Sequence, residues 1–510
     1  MKKTLAMLLA LVMALGMMSL TAAAEDITIK IPVYDRGFEG WNVTDNYYTR
    51  WIQEEFGTPN GITVQYVAIT RSAEVQDYMQ MLAAGTAPDI VFHYDMPQAV
   101  AYQNEGALQP LDLAELQEHA PTYYEMTRDM IETYGELDGE TYYFFANRPT
   151  AYNWLTLIRQ DWIDAVGKEM PTNLEEYNEL LLAWKEAGLG YVNHQLVKDN
   201  FTYSYPFRTW PNDEKEHVIY SELGVADMTW EPTYKYLKNL NWQYNNGVLD
   251  PEFYLNVDTN EAMADFIAGT AGTYSLYLAT GSTVISSLLA NDPDAKVATL
   301  NTLAATSTGE YQMERGYWPF GMIMGINSAT DDATRIAVWQ YLEWMMQPEN
   351  LFKLENGIEG ENYTLDENGL AVKIEGFDGE SRLSDNNNKD YWCLWEESAT
   401  YPTEEAQEKA NLLNWAPVGY EYIIEDSKMY YERDAEYRVP DALFTTAVQS
   451  VNEYKTDLNE LWQELYVKCV MASEADFDAT YEESCQIFLD AGYQEIIDEK
   501  TALYEAGSFH

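Results

Sequence analysis

The sequence predicts an α/β fold built of two lobes. A chain of 510 residues is too long for one ordinary hydrophobic core. Strand and helix patterns alternate in βαβαβ order from residue 26 to residue 92, which indicates a parallel sheet with right-handed crossovers. Two strand breaks, each marked by a proline, lie near 147–152 and 312–320 and flank a segment with its own α/β pattern. The chain is therefore expected to cross between the lobes at least twice.

Residues 1–24 have the pattern of a secretory signal peptide. Lys2 and Lys3 supply the positive charge, residues 5–20 form the apolar stretch, and three alanines at 22–24 suit a cleavage site. The apolar stretch is short for a membrane span. We therefore expect this segment to be removed and the mature protein to be secreted.

The first lobe offers candidate binding residues at the ends of its strands. Residues 26–33 alternate between apolar and polar and predict a strand that ends at Tyr34 and Arg36. A later strand at 90–92 is followed by Tyr94 and Asp95. In open α/β sheets, ligands bind beyond the carboxyl ends of the strands, so these four side chains are expected at the site.

Strand and helix patterns after residue 140 predict where the chain crosses between the lobes and which structure the C-terminal region has. An apolar strand at 141–146 is interrupted at 147–149, and a second strand follows at 154–158. The return is expected at 316–320, before an apolar strand at 321–326. Long helices are predicted at 440–472 and 474–505, so the C-terminal region is expected to be helical.

Two stretches of the chain resemble a known family. The first is marked by Asp138, Gly139, Tyr142, Arg159, Asp161, Trp162, Gly167, Pro171 and Tyr177, and the second spans residues 356–369. Together with MLAAGTAPDIVF, which ends at Phe92, they are similar to the extracellular solute-binding proteins of sugar ABC importers (family 1), in the lipoprotein LplA-like branch. The resemblance implies a type II periplasmic-binding-protein-like fold with the ligand cleft between the lobes.

The resemblance also implies a function, partners and a division of the chain. The protein is expected to be a monomer that captures a carbohydrate, in particular an oligosaccharide, and delivers it to the permease subunits of an ABC transporter. Lobe one is expected to comprise residues 25–148 and 315–390, with lobe two at 149–314. Residues 391–510 would form a Trp-rich connector and helices that pack mainly on lobe two.

The sequence departs from this family at two points. No cysteine lies near Ala24, where most relatives carry a lipidated cysteine, so the protein is expected in the periplasm or extracellular space without that anchor. Relatives also carry a calcium loop that corresponds to residues 190–215. That stretch lacks the alternating oxygen ligands and the glycine, so we predict no calcium there and no cofactor elsewhere.

The charge of the chain excludes several classes of partner. The formal net charge is −54, and removal of Lys2 and Lys3 with the signal peptide would give −56. Such an excess of acid repels nucleic acid and anionic membranes. It also disfavours polyanionic sugars, unless the few arginines converge in the cleft.

Neither a catalytic nor a metal motif is evident in the sequence. Cys393, Cys469 and Cys485 do not have metal-ligand spacing, and the last two fall on consecutive predicted helices, where they are expected to be free thiols or, alternatively, a pair. We therefore predict a binding protein and not an enzyme. A secreted glycoside-active enzyme and a binding protein for a non-sugar solute such as a peptide are the alternatives.

Aromatic residues provide the remaining candidates for ligand binding. Tyrosine and tryptophan have an apolar face and a polar edge, which suits the C–H faces and hydroxyl groups of a sugar ring. Most of the 40 tyrosines and 15 tryptophans must be structural, so only those at expected strand ends or hinge loops are selected, with the polar side chains beside them. The candidates are Tyr34, Arg36, Tyr94, Asp95, Asn147, Tyr152, Arg208, Trp210, Tyr277, Trp318, Glu359, Trp392 and Trp395.

Overall fold

The structure is a computed structural model that describes residues 27–37, 40–148, 154–191, 210–221, 224–255, 259–300, 313–374, 376–377, 379, 391, 394, 401 and 403–510. The predicted signal peptide lies outside the described residues. The strands in chain order are β1 Ile27–Asp35, β2 Ile62–Thr70, β3 Ile90–His93, β4 Glu136–Leu137, β5 Glu140–Thr141, β6 Phe144–Asn147, β7 Trp154–Arg159, β8 Thr273–Tyr277, β9 Val297–Leu300, β10 Glu314–Arg315, β11 Phe320–Ile326, β12 Tyr363–Leu365, β13 Ala371–Lys373 and β14 Arg438–Val439.

The α-helices connect these strands and form most of the C-terminal region. In chain order they are α1 Tyr47–Ile52, α2 Thr58–Asn60, α3 Glu74–Ala84, α4 Met96–Asn104, α5 Leu113–His119, α6 Pro121–Tyr134, α7 Gln160–Ala165, α8 Leu174–Ala187, α9 Glu214–Tyr220, α10 Glu231–Asn245, α11 Thr259–Ala268, α12 Gly281–Asn291, α13 Asp332–Met345, α14 Pro348–Asn356, α15 Glu404–Trp415, α16 Tyr422–Arg433, α17 Gln449–Met471, α18 Phe477–Phe488 and α19 Gln494–Ala506.

The first sheet region consists of β1, β2, β3, β6 and β11. β1 and β2 are parallel along their whole length, from Ile27 opposite Ile62 to Asp35 opposite Thr70. β11 lies between β3 and β6 and is antiparallel to both. Most apolar residues of these strands are buried, although Ile27, Val64 and Val67 are only partly so, and they share one core with side chains from α1, α4, α6 and α13.

β3 lies beside β1 and runs in the same direction. At its start, the Asp89 carboxylate accepts a hydrogen bond of 2.6 Å from the Lys30 N–H, and the Asp89 N–H donates to the Lys30 carbonyl at 2.8 Å. At its end, the Phe92 ring meets the Tyr34 ring with 4.8 Å between centroids. The carboxyl ends of β1, β2 and β3 therefore lie at the same edge.

The second sheet region consists of β7, β8 and β9. β7 lies in the middle and is antiparallel to both neighbours, with Trp154 opposite Tyr277 and Arg159 opposite Val297. One face packs on α11, α12, α15 and α16, and the other packs on α7 and α8. The ends of β8 and β9 therefore lie together, next to the start of β7.

The C-terminal helices contact both parts of the molecule. α17, α18 and α19 bury Trp462, Tyr466 and Phe488 against α10 and its flanking residues. At the other end of α17, the Lys455 ammonium donates to the Gln98 side chain of α4 at 2.9 Å. His510 is anchored to the first core, because its N–H donates to the carbonyl of Leu443 at 2.8 Å and Leu443 packs in that core.

None of the helices in the described part of the chain is both long enough and apolar enough to cross a membrane.

Candidate functional site

Three parallel strands place aromatic and charged side chains at one edge of the first sheet region. Tyr34 lies near the end of β1, Arg71 directly follows β2, and Tyr94 directly follows β3. The Tyr34 and Tyr94 rings are nearly parallel, with 15° between their planes and 6.3 Å between centroids. We call the seven residues at this edge the strand-end cluster; they are Tyr34, Arg36, Arg71, Glu74, His93, Tyr94 and Asp95.

Two arginines cover the tyrosines of this cluster. The Cζ atoms of Arg36 and Arg71 lie 5.4 Å and 5.0 Å from the centroid of the Tyr34 ring. Arg71 also lies 5.6 Å from the Tyr94 ring. A guanidinium within about 6 Å of a tyrosine ring is attracted to the face of that ring. The stacking orients both arginines at the edge of the sheet.

A buried carboxylate holds the cluster together. Glu74 is 4% exposed; its Oε1 accepts a hydrogen bond of 2.7 Å from the Tyr34 hydroxyl, and its Oε2 accepts one of 3.1 Å from Arg71. Burial raises the pKa of Glu74, although His93, Arg71 and the hydrogen bond from Tyr34 act in the opposite direction. Burial and the charge of Glu74 together raise the pKa of Tyr34 well above its ordinary value. The phenol therefore keeps its proton and donates a hydrogen bond to the carboxylate.

His93 links the buried and the exposed sides of the cluster. Its Nδ1 accepts a hydrogen bond of 2.9 Å from the Asp95 N–H, which leaves Nε2 to carry the proton of the neutral ring. Nε2 lies 4.0 Å from the Glu74 carboxylate, and Nδ1 lies 3.7 Å from the Asp95 carboxylate.

The outer side chains of the cluster are accessible, whereas the inner ones are not. Tyr34 is completely buried. The side chains of Arg71 and Asp95 are 42% and 39% exposed, and Arg36 and Tyr94 are half-buried. The arrangement can offer an aromatic surface, guanidinium donors and one carboxylate acceptor to a polar ring-shaped molecule. Tyr34 itself positions its neighbours and has no surface left for a ligand.

Three members of the cluster were not among the residues predicted from the sequence: Arg71, Glu74 and His93. The signal that selected Tyr34 and Tyr94 applies equally to the residues that follow the second strand. Arg71 begins a short 3₁₀ turn before α3, at the same edge as the other two strand ends. Applying the strand-end rule to β2 would have found it.

In the second sheet region, the strand ends that correspond to those of the strand-end cluster are the ends of β8 and β9, beside the start of β7. Tyr277 ends β8 and pairs with Trp154 of β7; its side chain is half-buried, and the following 3₁₀ turn leads into α12. Tyr152, which the sequence also predicts as a site residue, precedes β7 but lies outside the described residues.

Asn147 and Trp318 lie at the crossing between the two sheet regions. Asn147 ends β6 opposite Phe320. The Trp318 ring is parallel to the Phe320 ring at 6.2 Å and meets the Tyr134 ring edge-on at 4.8 Å. These contacts belong to the margin of the first core, so packing accounts for Trp318, and neither residue is a member of the strand-end cluster.

Trp210 and Glu359 also lie apart from the strand-end cluster. Trp210 is 3% exposed and lies 5.5 Å from the ring of Trp230, with His217 and Tyr220 beside them. We call these four residues the tryptophan cluster. Glu359 is exposed, and its backbone forms an isolated β-bridge with Tyr363. Arg208, Trp392 and Trp395 lie outside the described residues.

The remaining chemistry of the described residues is limited. Within the described ranges, no group of three histidine, cysteine, aspartate or glutamate side chains could hold a metal ion. Most of the predicted calcium-free loop, residues 192–209, lies outside them, as does Cys393. Cys469 and Cys485 are free thiols, and burial raises the pKa of Cys469 to about 11.

Solved structures share this fold at low sequence identity. The alginate-binding protein AlgQ2, solved without calcium ion, is 16% identical and has a TM-score of 0.66; the match covers 94% of this chain and 98% of that one. The ABC-transporter substrate binding protein FusA of S. pneumoniae, in complex with kestose, is 13% identical with a TM-score of 0.65, and the match covers 94% and 99% of the two chains.

A third structure agrees with these two. An HMO-binding, ABC-transporter-associated solute-binding protein from Bifidobacterium longum infantis is 14% identical with a TM-score of 0.63, over 95% of this chain and 99% of that one. These similarities confirm the predicted two-lobed α/β fold. A comparison with curated protein sequences gives no match.

A family model extends the comparison to the sequence itself. The model of the bacterial extracellular solute-binding proteins matches residues 51–355, which include β2, β3 and the whole second sheet region. More than half of the chain is therefore matched. The chain belongs to the family of bacterial extracellular solute-binding proteins.

Proposed function

We propose that this protein captures an oligosaccharide outside the cytoplasmic membrane and delivers it to an ABC importer. The observation that carries the proposal is the strand-end cluster, which presents tyrosine, arginine and aspartate at the carboxyl ends of three parallel strands. This is the position at which open α/β sheets bind ligands. Structures of the same fold bind alginate, kestose and HMO, which supports a saccharide as the ligand.

The ligand site would lie between two lobes. We assign residues 25–148 and 315–390 to one lobe and 149–314 to the other, with 391–510 as connector and C-terminal helices. The position of β11 between β3 and β6 supports this division. Tyr391 and Leu394 of the connector pack in the first core, whereas α17 to α19 pack on α10.

Closure of the lobes would couple binding to transport. A ligand shifts an open–closed equilibrium only if it binds the closed form more tightly, so it must contact both lobes. We propose Tyr94, Arg36, Arg71 and Asp95 as the contacts from lobe one, with Tyr277 and Tyr152 from lobe two. We also propose that Trp392 and Trp395 of the connector stack on the saccharide. The closed monomer would then be the form that the permease subunits recognise, after cleavage of the signal peptide at residues 22–24.

A glycan array followed by calorimetry tests this function. The secreted protein is applied to an array of neutral and acidic oligosaccharides, and each saccharide that binds is titrated by calorimetry. We expect binding to one saccharide class and no release of reducing sugar. The absence of binding to every saccharide would contradict the proposal, and the release of reducing sugar would favour a glycoside-active enzyme instead.

A further inference from the structure

The strand-end cluster brings two arginines together in a strongly acidic chain. The sequence has 30 lysines and arginines against 84 aspartates and glutamates. Nevertheless, Arg36 and Arg71 both lie over the ring of one tyrosine, at 5.4 Å and 5.0 Å. The like charges of the two arginines repel each other. The acidic excess of the chain disfavours polyanionic sugars unless the few arginines converge in the cleft. Arg36 and Arg71 do converge, so an anionic sugar can still bind to this acidic chain.

Two of the described carboxylates near the arginines, those of Glu74 and Asp35, already accept hydrogen bonds within the protein. Glu74 is 4% exposed and is occupied by the Tyr34 hydroxyl and Arg71. Asp35 follows Tyr34 on a strand and so points to the opposite face, where its carboxylate accepts the Gly37 N–H at 2.9 Å. Asp95, with its side chain 39% exposed, is the one acidic member of the cluster that is substantially accessible.

Two helices begin at the same edge and add to the positive potential. α3 starts directly after the Arg71–Ala73 turn, and α4 starts after Asp95. At the two N-cap positions, Ala73 and Asp95, no side chain accepts a hydrogen bond from the first backbone N–H groups of these helices. The amino end of a helix attracts negative charge. This contribution strengthens the effect of the arginines and does not define a site by itself.

We propose that the saccharide carries a carboxylate, so that it contains a uronic acid residue, and that Arg71 and Arg36 bind this carboxylate. The inference rests on the proposed function and narrows its ligand. The planar guanidinium presents paired donors that match the two oxygens of a carboxylate. The ring of Tyr94, which is half-buried beside Arg71, packs against the C–H face of the same sugar residue.

Paired ligands test the role of the carboxylate. Calorimetry compares trisaccharides of guluronate, mannuronate and galacturonate with the same trisaccharides after reduction of each carboxylate to a primary alcohol. We expect at least one acidic form to bind about tenfold or more tightly than its reduced form, because a hydrogen bond to a charged group contributes about 1.5–3 kcal/mol. That preference should decrease as salt is added, since part of the arginine pair is exposed.

Arg128 provides a matched control for Arg71. Both arginines form an ion pair with a glutamate three residues away, at 3.1 Å for Arg71–Glu74 and 2.9 Å for Arg128–Glu125, and their side chains are 42% and 40% exposed. Arg71→Gln should abolish the preference for the acidic form, whereas Arg128→Gln should retain it. Asp95→Asn should increase the affinity for the acidic form several-fold, because it removes a like charge from the site.

The outcomes separate this inference from the proposed function. If the reduced trisaccharides or other neutral sugars bind as tightly as the acidic ones, or if Arg71→Gln weakens both forms equally, the arginine binds hydroxyl groups and the inference is wrong. A decrease in affinity for the acidic form in Asp95→Asn would also contradict it. If neither the acidic nor any neutral saccharide binds, the proposed function fails together with the inference.

Discussion

The strand-end cluster and the tryptophan cluster are both rich in aromatic residues, but they differ in what surrounds the rings. In the tryptophan cluster, Trp210 and Trp230 are 3% and 2% exposed, and the Trp230 Nε1–H donates to the Glu216 carboxylate at 3.0 Å. The strand-end cluster has a buried ring in Tyr34, but Arg71 and Asp95 remain accessible around it. One cluster is a small core, and the other is an open edge.

The difference shows which aromatic residues are informative about binding. An aromatic ring that other rings enclose on all sides contributes its area to folding. A ring at a strand end lies next to charged side chains that buried partners hold in place. Together, the ring and these side chains form a surface that can bind a polar ligand. The composition of a segment does not distinguish the two cases, whereas the position of a residue relative to the sheet does.

The substitution with the largest expected effect is Trp210→Ala. Removal of a buried tryptophan side chain costs about 3–5 kcal/mol of the free energy of unfolding, so the melting temperature should fall markedly. Differential scanning calorimetry measures this effect, and saccharide titration of the folded fraction should give the parental affinity. A variant that melts normally but no longer binds saccharide would place Trp210 in the site and remove the contrast between the clusters.

Tyr94→Ala should have the opposite profile. By analogy with bases that stack on aromatic side chains, loss of the ring should weaken saccharide binding by about 1–3 kcal/mol, with little change in melting temperature. Tyr142→Ala is the matched control, because Tyr142 is also half-buried at the margin of the first core but does not belong to the strand-end cluster. Equal affinities for the parent and Tyr94→Ala would show that the ring does not contact the ligand.

A smaller effect is expected for Glu74→Gln, and it should depend on pH. Burial raises the pKa of Glu74 from its ordinary value of 4.5. The folded state therefore binds this proton more tightly than the unfolded state, so stability decreases as the pH rises from about 4.5 through the raised pKa. The melting temperature of Glu74→Gln relative to the parent should accordingly increase over this range. If the difference in melting temperature between the two proteins stays constant from pH 4 to pH 8, the pKa of Glu74 is not raised by folding.

The smallest expected effect is that of EDTA. We predict no calcium site in residues 190–215, the segment that leads to Trp210, so chelation should leave the melting temperature unchanged. A large decrease that calcium reverses would show that a metal ion stabilises the protein. The tryptophan cluster would then have to be reconsidered as part of a metal-organised region.

Local patterns in the sequence were sufficient for the order of elements in the first sheet region. The alternating residues at 26–33 predicted β1, and the strand continues for two further residues to Asp35, because β2 pairs with it to the end. The strand-end rule then located Tyr34, Arg36, Tyr94 and Asp95. Glu74 was missed, since its hydrogen bond with Tyr34 joins residues that are 40 positions apart, whereas Arg71 directly follows β2 and fits the same strand-end rule.

Long-range contacts also altered the predicted C-terminal helices. The helix expected from residue 440 begins at Gln449, because Arg438 and Val439 pair with β10 and Phe444 forms a bridge to Phe509. The helix expected over 474–505 is interrupted by Gly492, whose φ is 116°. A Cβ atom there would lie 2.5 Å from the Tyr454 ring, so the helix bends where two helices approach closely. The pairing of β10 with β14 and the bridge between Phe444 and Phe509 leave no local signal in the sequence.

The position of β11 in the first sheet region has a consequence for the order of folding. β3 and β6 have no strand between them until residues 320–326 arrive, more than 170 positions after β6 ends. β7, β8 and β9 need no such late strand, because all three lie within residues 154–300. Contacts between distant parts of a chain form slowly, so we expect the second sheet region to form first. The strand-end cluster itself lies within residues 34–95 and needs no late strand, whereas the core beneath it closes only when β11 pairs with β3 and β6.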